Sequence, residues 1–351
     1  MGTGYPKPVP AVASGVKKTA APRLLVFNCH EAWVHQLEGI GYELDIVVGL
    51  PGRAVASWDE RMRPVPAGAH MLSLDEALAG RVPYAATVLH SVTDLIDAKA
   101  IDGPKLIFIH NTLEGRVADQ EAADDAPRLA ETLKQFLSLT SVRAVAVSQL
   151  KARSWGVADE ILPFGVDPDA YLANTAELAR GIRVSNQFNR RRNILLVDLH
   201  TQAFSGLPMT LVGHNADIPD SRPARDWTHL KELLSTHRFY VHTADPRLED
   251  GYNMASLEAM ASGLPVLGNV HPSSPIVHGK SGYLSDDPEQ LRRYAELLLN
   301  DPELAARLGA EAKRVVGARF HVRTFRAGFR QAIANAQKRY RKKAQRALGV
   351  R

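Results

Sequence analysis

Short apolar runs rich in β-branched residues alternate, along most of this 351-residue chain, with stretches of helical periodicity. In the first half, residues 24–28, 44–48, 86–90, 105–110 and 142–147 have the length and near-continuous hydrophobicity of buried strands. Residues 127–139 put Leu129, Leu133, Phe136 and Leu137 on one helical face. The strand pattern breaks at PFGVDPDAY (163–171), passes a short helix-like stretch at 178–180, and restarts. Beyond it, 182–185, 209–213, 239–243 and 265–268 read as strands, and 227–235, 253–261, 289–299 and 302–316 as helices. Asp301 followed by Pro302 has the form of an N-cap with proline at the first helical position. Strands alternating with helices predict an α/β fold with parallel sheets. The break and restart predict two Rossmann-like domains facing a cleft. The expected divisions are a flexible segment at 1–22, domains at 23–171 and 172–320, and a final helix with a basic tail at 321–351.

Composition narrows the class. With 45% hydrophobic and 23% charged residues, the chain reads as a soluble globular protein. No apolar run approaches the ~20 residues of a membrane-spanning helix. The first 22 residues lack the apolar centre of a signal peptide, and Pro6 spoils a myristoylation match. A single cysteine, Cys29, excludes an intramolecular disulfide and a multi-cysteine metal cluster. The expected compartment is the cytoplasm. The net charge of +5 is unevenly placed, because 338–351 (KRYRKKAQRALGVR) is basic without one acid. Such a run suits a solvated helix end or weak contact with anionic lipid at the inner face of a membrane. Tyr340 is its one aromatic residue, which argues against nucleic acid.

The chemistry concentrates at residues 248–265, LEDGYNMASLEAMASGLP. Gly251 lets backbone approach a ligand closely. From Asn253 the residues Met254, Leu257 and Ala261, with small Ala255 and Ala259, suit a buried helix whose first free N–H groups favour an anion. Glu258 lies about one and a half turns inside that helix. Amides that take phosphates, flanked by carboxylates that take hydroxyls, suit a sugar joined to a diphosphate.

This stretch resembles the donor-binding motif of retaining GT-B glycosyltransferases of family 4. That motif is an acid, seven residues, then Glu, followed by an A-M-A-x-G-x-P-V run, here 259–266. VAVSQLKARSWG and ILPFGVDPDAY are similar to the family's last N-domain segments before the crossover. The resemblance implies a GT-B fold and retaining, metal-independent transfer from a nucleotide-diphosphate sugar, with no further cofactor. It implies ribose hydroxyls on Glu258 and sugar hydroxyls on Asp250 or the adjacent Glu249. The backbone of Gly251, Tyr252 and Asn253, bordered by Met254, would receive the diphosphate. His110, closing the strand KLIFIH, would face the donor sugar, and the turn Gly213, His214, Asn215 would border the base. His30 and Glu31, after the first strand, are lesser candidates. Ser273, Ser274, Pro275, Gly279 and Gly282 read as structural turns near the pocket, with Lys280 solvent-exposed.

Three departures stand out. Position 250 is Asp where the family usually has Glu. NCHEAWVHQLEG carries Trp33 and His35 where a Gly-rich loop is expected, with Trp33 either core or a platform for a sugar face. RVSNQFNRRRN lacks the family's Lys-Gly, leaving Arg190, Arg191 or Arg192 to serve the diphosphate. No metal pair is evident, since Asp167-Pro168-Asp169 falls in the interdomain turn. The expected partners are a nucleotide sugar and an unknown acceptor, lipid-linked or a polysaccharide. The alternatives are a nucleotide-sugar-binding protein without turnover and an epimerase of the same architecture.

Overall fold

The computed structural model describes residues 21–53, 57–120 and 126–348. The lead segment 1–20 and the last three residues of the basic tail lie outside this range. Seven strands make the first sheet: β1 (Arg23–Phe27), β2 (Glu43–Val47), β3 (His70–Leu72), β4 (Ala86–Leu89), β5 (Lys105–Ile109), β6 (Arg143–Ala146) and β7 (Glu160–Ile161). They run parallel in the order β3-β2-β1-β4-β5-β6-β7. The five strands expected from hydrophobicity are all there, displaced by a residue or so at their ends. β3 and β7 are largely exposed edge strands of three and two residues, so no apolar run marks them. Around the sheet lie α1 (Glu31–Val34), α2 (Leu74–Gly80), α3 (Val92–Asp97), α4 (Leu113–Gln120), α5 (Ala126–Leu139) and α6 (Gln149–Trp155).

The second sheet holds β8 (Leu178–Val184), β9 (Met209–Val212), β10 (His237–Val241), β11 (Val266–Gly268) and β12 (Gly282–Leu284), also parallel, in the order β12-β11-β10-β8-β9. Its helices are α7 (Val197–Phe204), α8 (Trp227–Thr236), α9 (Met254–Ser262), α10 (Pro288–Asn300) and α11 (Pro302–Arg319). Asp301 caps α11 by accepting the Leu304 N–H at 2.8 Å, with Pro302 next, as its sequence suggested. Residues 178–180 are a correction: they open β8 instead of forming a helix. Leu178 pairs with His237 and Gly181 with Phe239, but this end of the strand is exposed and shows no alternation. A Cβ at Gly181 would fall 2.3 Å from the Phe239 ring, so only glycine lets the strands pair here.

The final helix, α12 (Val322–Ala347), crosses back onto the first sheet. Its entry is pinned where the Val166 N–H donates to Phe320 O and the Val322 N–H to Val166 O, at 2.8 and 2.9 Å. A Cβ at Gly165 would meet Phe325 Cβ at 2.7 Å, so glycine there allows α12 to pass. Phe329 then stacks on Phe108 with ring centroids 5.4 Å apart, and Tyr340 donates to Asp102 at 2.6 Å. Trp33, 2% exposed, sits edge-on to Phe108, Phe325 and Phe329. It belongs to the core under α12, and its burial removes the alternative that it stacks on a sugar.

Candidate functional site

In open parallel sheets ligands gather at the carboxyl ends of the strands, and here both sheets turn those ends toward a common cleft. Between β10 and α9 runs the acidic turn. His271 Nε2 donates to Glu249 O at 2.9 Å and His242 Nε2 to Asp250 O at 3.1 Å, so two histidines fix its backbone. Burial pushes His242 down to about 4, leaving it neutral and able to hold that bond. A Cβ at Gly251 would meet the His271 ring at 2.7 Å, so glycine is required by this close approach. Asn253 caps α9: its Oδ1 accepts the Ser256 N–H while Ser256 Oγ accepts the Asn253 N–H, both at 2.8 Å. The Gly251 N–H is also spent, on Ser273 Oγ at 2.9 Å. Of the amides expected to meet an anion, those of Gly251 and Asn253 are therefore engaged. The orphan donors of the first turn belong to Met254 and Ala255. Tyr252 is core, with its ring 5.1 Å from Phe320.

Each acid of the motif is buried and meets a cation from the opposite side of the cleft. Lys151 of α6, 2% exposed, places Nζ 2.9 Å from Glu249 Oε1 and 3.0 Å from Asp250 Oδ2. Burial alone would drive this ammonium down, but the charges of Glu249 and Asp250 outweigh it and hold it above the ordinary lysine range. Asp250 is 1% exposed, yet among the described residues its Oδ1 has no hydrogen-bond partner. Glu249 also lies 3.8 Å from Arg191 Nη2. Six residues into the helix-bearing segment, Glu258 pairs with Arg63, whose guanidinium lies 4.2 Å over the Trp227 ring. Burial, with Glu258 beside it, holds the Tyr171 hydroxyl well above the tyrosine range and so protonated. Arg63, Tyr171, Trp227, Met254, Leu257 and Glu258 line a cavity of about 250 Å³. Sequence reasoning did not single out Lys151, Arg63, Tyr171 or Trp227. They come from four separate segments and share no spacing.

His110 closes β5, and its Nε2 lies 2.8 Å from His90 Nδ1. Its ring stacks on Phe164, 6.3 Å away and 8° from parallel. Burial, then His90 and Lys151, keeps it well below the usual histidine range, and burial alone pushes His90 down to about 3. Both are neutral near pH 7. Cys29, His90 and His110 bring a sulfur and two ring nitrogens within 4.8 Å of one another, a donor set chemically suited to a soft ion. His30 caps α1, accepting the Ala32 N–H at 3.2 Å, and Glu31 accepts the Asp59 N–H at 3.1 Å. The latter ties the loop carrying Arg63 to the end of β1.

In the turn after β9 the Asn215 side chain is taken up by the fold. Asn215 Oδ1 accepts the Phe188 N–H at 2.7 Å, and its Nδ2 donates to Ser185 O and Ser221 Oγ at 2.9 and 2.8 Å. Its amide is committed to joining the ends of β8 and β9. Gly213 has φ +147°, and a Cβ there would meet Ser185 O at 2.1 Å. Arg183, buried in β8, donates to Thr243 Oγ1 at 2.7 Å and to Leu195 O at 3.2 Å, anchoring the 189–195 turn. Of the three arginines on that turn, Arg191 faces Glu249, Arg190 reaches Asp119 O at 3.3 Å, and Arg192 pairs with exposed Asp198.

Residues 223–315, which include both Asp250 and Glu258, match the family described as glycosyl transferases group 1. The two-sheet architecture matches GT-B glycosyltransferase structures. HepE of Anabaena, solved with UDP and glucose, is 14% identical with a TM-score of 0.63 over 89% of this chain and 99% of that one. Sucrose-phosphate synthase of Thermosynechococcus elongatus is 14% identical, TM-score 0.62, over 89% and 98%. A glycosyltransferase of Rickettsia africae is 10% identical, TM-score 0.58, over 91% and 100%. No curated protein matches the chain significantly. At these identities the structural likeness shows the GT-B fold, and the glycosyl transferases group 1 match is confined to residues 223–315.

Proposed function

We propose that this protein is a retaining glycosyltransferase of family 4 type, moving a sugar from a nucleotide diphosphate to an acceptor still to be identified. The observation that carries the reading is Asp250: a carboxylate 1% exposed, its Oδ2 on Lys151 and its Oδ1 without a hydrogen-bond partner among the described residues, at the mouth of a capped helix. Buried acceptors are rarely left in this state, and sugar hydroxyls would satisfy it. The diphosphate would meet the first-turn amides of α9 together with Arg191, whose guanidinium already faces the acidic turn. Glu258 would take ribose hydroxyls through lone pairs that Arg63 leaves free. His110, neutral, would offer a hydrogen bond to the sugar. Stabilising the charge that develops on the departing diphosphate is the main catalytic contribution in this scheme. Within it the amides and Arg191 supply the positive potential that the resemblance assigns to a Lys-Gly, and no metal is required.

Supporting the donor class, HepE of Anabaena has been solved with UDP-glucose and with UDP. No described helix is long and apolar enough to cross a membrane. The basic, exposed end of α12 suits weak contact with an anionic membrane face, a cytoplasmic location and a lipid-linked or polysaccharide acceptor. A second reading, binding without turnover, is favoured by one observation: both motif acids are ion-paired within the chain itself.

The test is nucleoside-diphosphate release from a panel of UDP-, GDP-, ADP- and TDP-sugars, wild type beside Glu258→Gln. Release from one donor, lost in the variant, supports transfer. Ligand-induced thermal stabilisation without release, with acceptors supplied, would support the binding protein instead. Neither release nor stabilisation would remove the donor-site reading.

A further inference from the structure

The acids at 249 and 250 come from the second half of the chain, but the charge that balances them comes from the first. Lys151 is held rigidly. The Ser148 Oγ caps α6 by accepting the Lys151 N–H at 3.1 Å, Gly156 ends the helix in the left-handed region, and Trp155 Nε1 donates to Asn111 O at 2.9 Å. Its ammonium ends between Glu249 and Asp250, with the Phe164 ring 5.9 Å away. Further charged and titratable groups facing this cluster include Arg191 on Glu249, His110 and Tyr252 near the ammonium, and His242 and His271 on the backbone carbonyls of residues 250 and 249. Among the described residues, Asp250 has no cation but Lys151.

Two features of this contact separate charge from hydrogen bonding. Lys151 approaches one oxygen of Asp250, Oδ2, to 3.0 Å, while among the described residues Oδ1 has no hydrogen-bond partner. The ammonium thus supplies the counter-charge a buried carboxylate needs while leaving the Oδ1 lone pairs for another donor. With its own charge committed to two carboxylates, Lys151 is poorly placed to bind phosphate as well. We propose that Lys151 is a positioning residue of this site, holding Glu249 and Asp250 charged and oriented for the sugar of the donor without itself binding the diphosphate. This rests on the donor reading given above. It makes the sugar half of the site a composite of both domains, complete only when the cleft is closed.

The experiment is calorimetric titration of the full chain, wild type against Lys151→Met, with matched ligands: UDP-glucose and UDP, GDP-mannose and GDP, ADP-glucose and ADP. Lys151→Met is expected to weaken the sugar-bearing ligand by roughly tenfold or more and the bare nucleotide by less than about twofold. Equal loss for both ligands would make Lys151 a phosphate ligand and overturn the inference, as would no loss for either. A wild type that binds the bare nucleotide as tightly as the sugar nucleotide would also overturn it. A wild type that binds no ligand of the panel fails differently: it removes the donor reading, and this inference with it. Thermal melting guards against a folding artefact. Lys151→Met should lower the melting temperature, and adding Asp250→Asn should restore part of the loss, because the uncompensated charge is gone. Strictly additive losses would show that the ion pair does not exist in solution, and would overturn the inference as well.

Discussion

The two sides of the cleft carry opposite charge and were built from very different kinds of sequence. The second sheet contributes Glu249, Asp250 and Glu258 from one contiguous turn and helix. The first contributes Lys151 and Arg63 from a helix and a loop 88 positions apart. An acid motif on one continuous element has a spacing that can be read. Its counter-cations have none, because only the tertiary fold brings them to it. The comparison also shows how the acids are balanced: the buried Asp250 and the half-buried Glu249 are neutralised from across the gap by Lys151, at 3.0 and 2.9 Å, and the buried Glu258 by direct pairing with Arg63.

The hardest blow to that arrangement is Arg63→Met. Arg63 is 4% exposed and Glu258 5%, so removing one partner leaves a buried, uncompensated charge. The expected loss of stability is about 3–5 kcal/mol, read from denaturant unfolding followed by separate fluorescence and circular-dichroism probes. The double variant Arg63→Met/Glu258→Gln should regain much of it. If the single variant is as stable as wild type, the cross-cleft pairing at Glu258 is not what joins the two halves.

Glu258→Gln sharpens the same comparison from the acid side. It keeps the shape and removes the charge, so the fold should survive better than in an alanine variant. Turnover of the donor should fall by about 10²–10³ if Glu258 holds the nucleoside during the reaction. Full turnover in this variant would take Glu258 out of the donor site while leaving its structural pairing with Arg63 in place.

How much of this could be read beforehand follows from continuity and burial. The parallel α/β architecture was legible because central strands such as Leu24–Phe27, fully buried, leave unbroken apolar runs. The acidic turn was legible because Gly251, the cap at Asn253 and Glu258 all lie within nine residues. Edge strands β3 and β7 were not, since exposed strands need no hydrophobic pattern. Residues 178–180 were misread for the same reason. The structural role of Asn215 was not legible either, because a polar residue at a strand end is ambiguous until its amide partners are known. Nothing in the sequence distinguishes an Asn that binds a base from one that ties two loops.

Acidification draws on buried histidines of both sides, and His90 of the first sheet's side is isolated by substitution. His90 titrates near 3 in the folded protein, against about 6.5 when unfolded. Between these values the unfolded chain binds the extra proton, so stability rises with pH up to about 6.5 and falls on acidification below it. The slope from His90 is about 1.4 kcal/mol per pH unit within that window, or roughly 2 kcal/mol lost by pH 5. His110, held low by burial and by its neighbours, acts in the same direction. His90→Asn should flatten the slope of stability against pH between 5 and 6.5. An unchanged slope would place the acid sensitivity elsewhere.

The smallest effects separate the three consecutive arginines, which sequence alone could not rank. Arg191 lies 3.8 Å from Glu249 and 3.6 Å from Asp119, so its guanidinium stands where the two halves approach each other beside the acidic turn. Arg192 pairs with Asp198 on the surface, both more than half exposed, and such a pair contributes at most about 1 kcal/mol. Arg191→Ala should therefore weaken binding of a bare nucleoside diphosphate by up to roughly tenfold, corresponding to about 1.4 kcal/mol. Arg192→Ala should leave both binding and stability within about 0.5 kcal/mol of wild type. The contrast with Lys151 is the point of measuring them side by side. If Arg191 serves the phosphates and Lys151 the sugar-binding acids, the first variant penalises bare and sugar-bearing nucleotides alike and the second only the latter. Arg191→Ala that spares the bare nucleotide would mean the diphosphate is held by the α9 amides alone.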